Sequence, residues 1–412
     1  MTAHSVKPPL FAYLRRWILL AATVGILTGS ISALFLASLH EVTNLRVSHA
    51  WLLWLLPFGG ALVSFIYMKY GQDSAKGNNL LLERIYIANG SVPLRMVPLV
   101  LFGTLITHLF GGSAGREGTA VQMGGGLADF IGRRFHLGGA ERQIILMCGI
   151  SSGFGAIFGT PIAGTVFGLE VVALRVIPYR AILPCLIASF TGHYVTIAWG
   201  IHHSSYSLGA LPIFSSLLLL KIIIASILFG LTAWLFSTLT HRLKAIFTKL
   251  IPNPVIKSFA GGVLIIAMVY LLGTRDYLGL GLPLMDLAFE ESVRPFTFLL
   301  KLLFTVITLG SGFQGGEVTP LFVIGSTLGS SLASLLSVSI PLLAGIGFVA
   351  VFGGATNTPV ASFIMGLELF GFNGYGMLYL LIGCTIGYLC SGRIGIYSSQ
   401  RTRNWLRRTP SK

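Results

Sequence analysis

Gly115-Arg116-Glu117-Gly118-Thr119 returns, roughly 200 residues later, as Gly315-Gly316-Glu317-Val318-Thr319. Thr160-Pro161-Ile162-Ala163 leading to Gly168-Leu169-Glu170 returns at nearly the same interval as Thr358-Pro359-Val360-Ala361 leading to Gly366-Leu367-Glu368. One such match is within the reach of chance. Two matches, in one order and at nearly one offset, mark a duplicated unit of about half the chain.

The composition says in what solvent the two halves sit. Of the 412 residues 54% are hydrophobic and 10% charged, with 28 Lys+Arg against 13 Asp+Glu and a formal net charge of +15. A soluble domain carries about 25% charged residues, and a disordered chain is poor in the apolar residues that abound here. Nucleic-acid binding is excluded by placement: the bases stand between long apolar runs and do not collect on one wetted face. An all-α polytopic membrane protein remains.

Trp17 to Leu39 is longer than the roughly 7–15-residue apolar core of a secretory signal and is read as a retained helix. Of the later apolar runs, several fall short of the ~20 residues that span a bilayer, and many are broken by Gly or Pro. Short, broken helices belong to transporter-like architectures in which unwound backbone lines a cavity.

Basic loops mark the cytoplasmic side. By that rule Lys7, Arg15 and Arg16, the Arg133, Arg134, Arg142 segment, the Arg242, Lys244, Lys249 segment and the tail Arg401, Arg403, Arg407 and Arg408 all face inward. Gly200 to Leu211 holds His202 and His203 but no Lys or Arg and reads as an external loop, with Leu211 to Leu250 as one long tilted helix running back inside. The first half thus crosses an odd number of times and the second returns with opposite orientation. The expected division is a cytoplasmic segment over 1–16, a first membrane half over 17–210, a second, inverted half over 211–392, and a C-terminal helix with a basic cytoplasmic tail over 393–412, with both termini inside. Inverted repeats place the substrate site near the midplane, where the halves meet.

The chemistry at that meeting is carried by acids in glycine-dense breaks. Glu117 follows Gly111-Gly112-Ser113-Ala114-Gly115-Arg116 and precedes a helical run. Free N–H groups at a helix start favour an anion, and glycine lets backbone approach closely. A carboxylate there can act as a resident anion and, once protonated, withdraw, which makes one side chain both gate and proton carrier. The plainer reading is a capping charge. Glu317 and Thr319 hold the matching place before Pro320, again with glycines that leave backbone amides open. Gly77-Asn78-Asn79-Leu80 is a polar break whose side-chain amides offer donors without charge, or else a turn or N-cap. Tyr397 stands after the last span, where an isolated Tyr ordinarily joins the aromatic belt. Glu170 and Glu368 end the two repeated helices, and their symmetry favours structural pairing. Asp129 and Lys301 carry no assignment. The four cysteines Cys148, Cys185, Cys384 and Cys390 form neither a metal nor a disulfide pattern. No nucleotide-binding loop or Ser/His/Asp constellation is present, so neither an enzyme nor a cofactor is expected.

Taken together, Gly115-Arg116-Glu117-Gly118, the Gly315 to Pro320 break, the two Thr-Pro helices and the late Tyr397 resemble the CLC family of anion channels and anion/proton antiporters, over nearly all the membrane part and in order. The resemblance implies two inverted halves around one anion path per subunit, and a homodimer with two independent paths. It puts Glu117 on the external gating glutamate and Tyr397 on the inner gate tyrosine. Gly115, Arg116, Gly118, Gly316 and Val318 then frame the anion path. Three departures from the chloride-type pattern matter. Where chloride-selective members have Gly-Ser-Gly-Ile-Pro this chain has Lys76-Gly77-Asn78-Asn79-Leu80; Thr119 replaces the proline after the gating motif; and Gly316-Glu317-Val318-Thr319-Pro320 replaces Gly-Ile-Phe-Ala-Pro. All three look like the fluoride branch, the bacterial fluoride/proton antiporters. That likeness passes anion-handling roles to Asn78 or Asn79 and to Thr319, and a gating or proton-transfer role to Glu317 beside Glu117.

A smaller anion is more strongly hydrated, so its path needs more or stronger donors, and these replacements are more polar. Chloride/proton exchangers carry an internal glutamate where this chain has Val171, so the resemblance leaves a passive channel or a chloride-selective exchanger as alternatives. The implied function is export of fluoride against entering protons across a bacterial inner membrane.

Overall fold

The computed structural model describes residues 10–87, 90–172, 179–371 and 374–400. Sixteen α-helices and three short 3-10 or π segments make up its regular structure, joined by breaks that hold glycine and proline.

The first half contains α1 (Leu10–Ser48), α2 (Leu56–Ile66), α3 (Asn78–Ile87), α4 (Met96–Phe110), α5 (Glu117–Arg134), α6 (Gly139–Phe158), α7 (Pro161–Glu170) and α8 (Tyr179–Ala198). The second contains α9 (Ser216–Leu250), α10 (Pro254–Leu272), α11 (Leu282–Glu290), α12 (Thr297–Gly310), α13 (Val318–Leu336), α14 (Ile340–Thr356), α15 (Pro359–Phe370) and α16 (Gly374–Cys390). Six segments are long and apolar enough to cross a membrane: Tyr13–Ser48, Ala50–Lys76, Tyr179–Ala198, Ser216–Leu250, Pro254–Leu272 and Val318–Leu336. Shorter apolar helices such as Met96–Phe110 and Pro359–Phe370 fill the interior between them. These bounds and the resulting burial make the chain a multi-pass membrane protein with an all-α fold.

Two sequence expectations change in detail, the start of the long helix and the C-terminal helix. The long helix expected from Leu211 starts at Ser216, because Ser215 stays extended and its Oγ accepts from Leu218 N at 3.1 Å. The expected division at 210/211 falls inside an irregular segment that runs from 201 to 215. Residues 393–400 form turns, not a helix, while the basic tail, like Lys7, lies outside the described residues.

The repeat is visible in packing. α5 lies against α6 at Gly124 and Gly149, and α13 lies against α14 at Gly325 and Gly347. A Cβ at any of these four would strike the facing backbone, so small residues at matched positions set the distance between each helix pair. Stacked rings run through both halves and across their boundary: Phe322 and Phe348 are 3.9 Å apart between centroids within the second half, Phe154 and Phe167 4.3 Å within the first, and Phe154 faces Phe352 across the boundary at 5.9 Å.

The Thr-Pro helices cap each other. α7 and α15 both begin with proline, which has no N–H to leave unsatisfied. The next two N–H groups of α15, on Val360 and Ala361, donate to Glu170 at 3.1 and 2.7 Å. Those of α7, on Ile162 and Ala163, donate to Glu368 at 2.9 and 2.6 Å. Asp129, fully buried, holds the end of α5 to the start of α6 through Arg142 at 2.6 Å and Arg133 at 3.1 Å, and also accepts from Val92 N at 3.0 Å.

Candidate functional site

The two glycine breaks meet back to back. Gly115 N donates to Gly316 O at 2.6 Å and Gly316 N to Gly115 O at 2.8 Å, an isolated antiparallel bridge between the halves. These two amides, expected to be open to an anion, are engaged with each other. The bridge brings the start of α5 beside the start of α13. A Cβ on either glycine would collide with the Glu117 carboxylate, so this crossing needs glycine on both strands.

Glu117 opens α5, but its carboxylate serves the opposite helix. It accepts from Val318 N and, at 2.6 Å, from Thr319 Oγ1, both in the first turn of α13, and from Arg116 N at 3.0 Å. Local sequence placed this carboxylate at its own helix start. The fold instead seats it on the N-terminus contributed by the other half, where open N–H groups and the helix dipole favour negative charge. Glu117 is 1% exposed, so a carboxylate fills the place an anion would take.

Two small cavities lie near that seat. One, about 30 Å³, is lined by Arg116, Ser204, Tyr206, Thr319, Phe322 and Phe348. The other, about 10 Å³, is lined by Asn78, Val121, Phe167, Val171 and Tyr397. Each is near the size of one water molecule. Thus Arg116 and Thr319 line one cavity near the carboxylate, and Asn78 and Tyr397 line the other.

The neighbouring asparagines have different environments. Asn78 starts α3 with its Oδ1 buried and unpartnered among the described residues, and its Nδ2 would lie 3.2 Å from a Cβ on Gly118. Asn79 accepts from Ser399 N at 2.9 Å and so ties α3 to the segment that carries Tyr397. That segment is strapped further by Ile396 N to Ala355 O at 2.9 Å, and by the Gln400 amide, which donates to Val171 O at 3.2 Å and Thr356 O at 3.1 Å. Tyr397 is 8% exposed and belongs to the interior, away from the aromatic belt.

Glu317 occupies the N-cap position of α13. Its backbone carbonyl accepts from Leu321 N at 3.2 Å, as an N-cap carbonyl does. The repeat therefore relates the two glutamates in sequence, while only Glu117 is seated on the first turn of α13.

Sequence reasoning missed the residues that hold these parts. Thr119 Oγ1 pairs with Thr104 Oγ1 at 2.7 Å behind the first break. Ser113 is bound by α12 through Thr308, Thr305 and Lys301. The available signal was a lone lysine inside an apolar run, which composition treats as an exception to be explained.

An inverted pair of half-chains that meets at two helix N-termini, with a carboxylate held near two water-sized cavities, defines a membrane protein built to pass a small anion. The chain belongs to the voltage gated chloride channel family, whose pattern matches residues 59–392. It is 47% identical over 398 residues, covering 95% of this chain and 88% of the relative, to the "Chloride/fluoride channel protein" of Pseudomonas syringae pv. tomato. Among solved structures it resembles a CLC-type fluoride/proton antiporter, with a TM-score of 0.92 and 36% identity over 96% of this chain and 100% of that one. A slow cyanobacterial Cl−/H+ antiporter shares the fold, with a TM-score of 0.76 at 22% identity over 93% of this chain and 96% of that one.

Proposed function

We propose that this protein exports fluoride in exchange for protons. The observation that carries the reading is the seat of Glu117: a carboxylate held by Val318 N, Thr319 Oγ1 and Arg116 N, near one small cavity lined by Arg116 and Thr319 and another lined by Asn78 and Tyr397. Protonation removes the charge that holds Glu117 there, and a fluoride ion can then accept the same donors. The gate and the proton carrier are one group, so the two fluxes are coupled by exclusion.

Asn78 and Tyr397 serve the anion on the inner side, Arg116 and Thr319 on the outer side, while Gly115, Gly118, Gly316 and Val318 shape the crossing. Glu317 takes part in gating or proton transfer. Fluoride holds its water more tightly than chloride does, and the amide of Asn78 and hydroxyl of Thr319 are donors suited to replacing that water. The likeness to the solved fluoride/proton antiporter supports this choice of ion. We further place the protein in the bacterial inner membrane as a homodimer with one path per subunit and both termini cytoplasmic, a reading supported by the bacterial relatives and by the basic segments around Arg133 and Arg242.

A passive channel is the second reading, favoured by the channel name of the Pseudomonas relative and by Val171 at the internal-glutamate position. Purified protein in liposomes, followed with fluoride and chloride electrodes and a pH probe, separates the two. Exchange predicts fluoride-driven proton uptake and little chloride flux. Fluoride flux without proton movement selects the channel, and equal fluoride and chloride flux removes the fluoride assignment.

A further inference from the structure

Lys301 lies near the start of α12, 0% exposed, and no ion pair among the described residues includes it. Its Nζ donates to Ser113 Oγ at 2.9 Å, Tyr277 O at 3.1 Å and Gly279 O at 2.8 Å.

The neighbouring hydroxyl protons decide its charge. Thr305 Oγ1 gives its single proton to Lys301 O at 2.9 Å, so in its 2.9 Å contact with Ser113 it can only accept. Ser113 therefore gives its own proton to Thr305 and can only accept from Lys301. The other two partners of Nζ are carbonyl oxygens. Three acceptors require three N–H groups on one nitrogen, which an ammonium has and a neutral amine lacks.

A buried ammonium without a carboxylate is costly, and an apolar residue would serve packing better. The cost is borne at a particular place. Ser113 belongs to the first glycine break, two residues before the Gly115 bridge, and its N–H donates to Thr308 Oγ1 at 3.2 Å. On the far side of Gly279 stands a second cation: a Cβ there would come 2.8 Å from Arg46 Nη1, an atom that is itself buried and unpartnered among the described residues. The region beside the break is thus positive, while the crossing itself carries the carboxylates Glu117 and Glu317.

We propose that Lys301 is an affinity-determining residue of the path: a fixed ammonium whose charge offsets the two glutamates and draws fluoride toward the Glu117 crossing, with no proton transfer of its own. The proposal rests on fluoride using that crossing. It adds a positioning charge that lies outside the anion path and touches no transported ion.

The test is the fluoride concentration dependence of exchange in proteoliposomes, with Lys301→Gln, Lys301→Met, Lys301→Arg and Ser113→Ala beside the parent. Only variants that elute as one sharp peak in detergent are compared. Lys301→Gln keeps hydrogen-bonding groups and drops the charge; its KM for fluoride rises roughly tenfold or more, the scale of one unit charge felt across a protein interior, with the proton-to-fluoride ratio unchanged. Lys301→Met behaves alike and Lys301→Arg restores the parent KM. Ser113→Ala, which leaves the ammonium in place, keeps a KM near the parent value. A parent-like KM in Lys301→Gln overturns the proposal, as does a changed coupling ratio in that variant, or a Ser113→Ala defect as large as that of Lys301→Gln. Should both neutral variants fail to fold, Ser113→Ala and Lys301→Arg still decide, since loss of affinity with the charge retained contradicts it. Failure of the parent to exchange fluoride for protons would instead count against the proposed function.

Discussion

The carboxylate of Glu117 and the hydroxyl of Thr319 are 2.6 Å apart across the boundary between two related half-chains. The gate is therefore held by a residue that its own half does not encode. Hydrogen bonds to a charged group are worth about 1.5–3 kcal/mol, so Thr319→Val should weaken the seat by a factor of ten or more. We expect anion leak that no longer needs protons, read as a falling proton-to-fluoride ratio in liposomes. A ratio equal to that of the parent shows that the hydroxyl does not hold the gate.

Removing the titratable group goes further. Glu117→Gln and Glu117→Ala should both abolish proton movement, measured with a pH probe during imposed anion gradients. Persistent coupling in both variants would defeat the assignment of gate and carrier to one side chain. Glu317→Gln is the companion experiment: full fluoride/proton coupling there excludes a proton role for Glu317.

Asn78 and Asn79 are adjacent in sequence but separated in role. Asn78→Leu takes a donor from the cavity it shares with Tyr397 and should cut fluoride flux about tenfold, the scale of a lost hydrogen bond to an ion. Asn79→Leu cuts the tie to Ser399 and should loosen the Tyr397 segment, raising leak rates for larger anions such as chloride. Flux measurements in which the two variants behave alike contradict this separation.

The paired glutamates of α7 and α15 should affect stability and leave selectivity alone. Glu170→Ala strands the N–H groups of Val360 and Ala361, and a lost cap costs about 1 kcal/mol. Thermal unfolding in detergent should show the loss, with Glu368→Ala similar. Because each cap presses the same two helices together, the double variant should depart from the sum of the singles by roughly 0.5 kcal/mol or more. Altered ion selectivity in either single variant argues against a purely structural pairing.

The architecture was legible because duplication and charge placement survive in one dimension: two motifs at one spacing, and bases gathered at loops. Glu117, Glu317 and Tyr397 stood out through the family resemblance and through the rarity of acids in an apolar chain. The symmetry of Glu170 and Glu368 already pointed to a structural pairing, but the other relations between the halves stayed hidden. Nothing near Glu117 in sequence says that its carboxylate crosses to Val318 and Thr319, or that the amides of Gly115 and Gly316 are used up on each other. The distinct roles of Asn78 and Asn79 were equally out of reach, since they are set by Ser399, more than 300 residues away. Lys301 was visible but mute, because its meaning lies in which way a neighbouring hydroxyl proton points.

The crossed caps of Glu170 and Glu368 also bear on how the chain is made. When the ribosome has finished α7, the amides that Glu170 will bind have not been synthesised, and the carboxylate that will bind Ile162 and Ala163 is equally missing. The first half must wait in the membrane with an acid and a bare helix end unmatched until α15 arrives. A nascent chain stalled before Pro359 therefore displays a defect that its completion repairs, and those unmatched ends are a mark by which quality control could tell a half-built copy from a finished one.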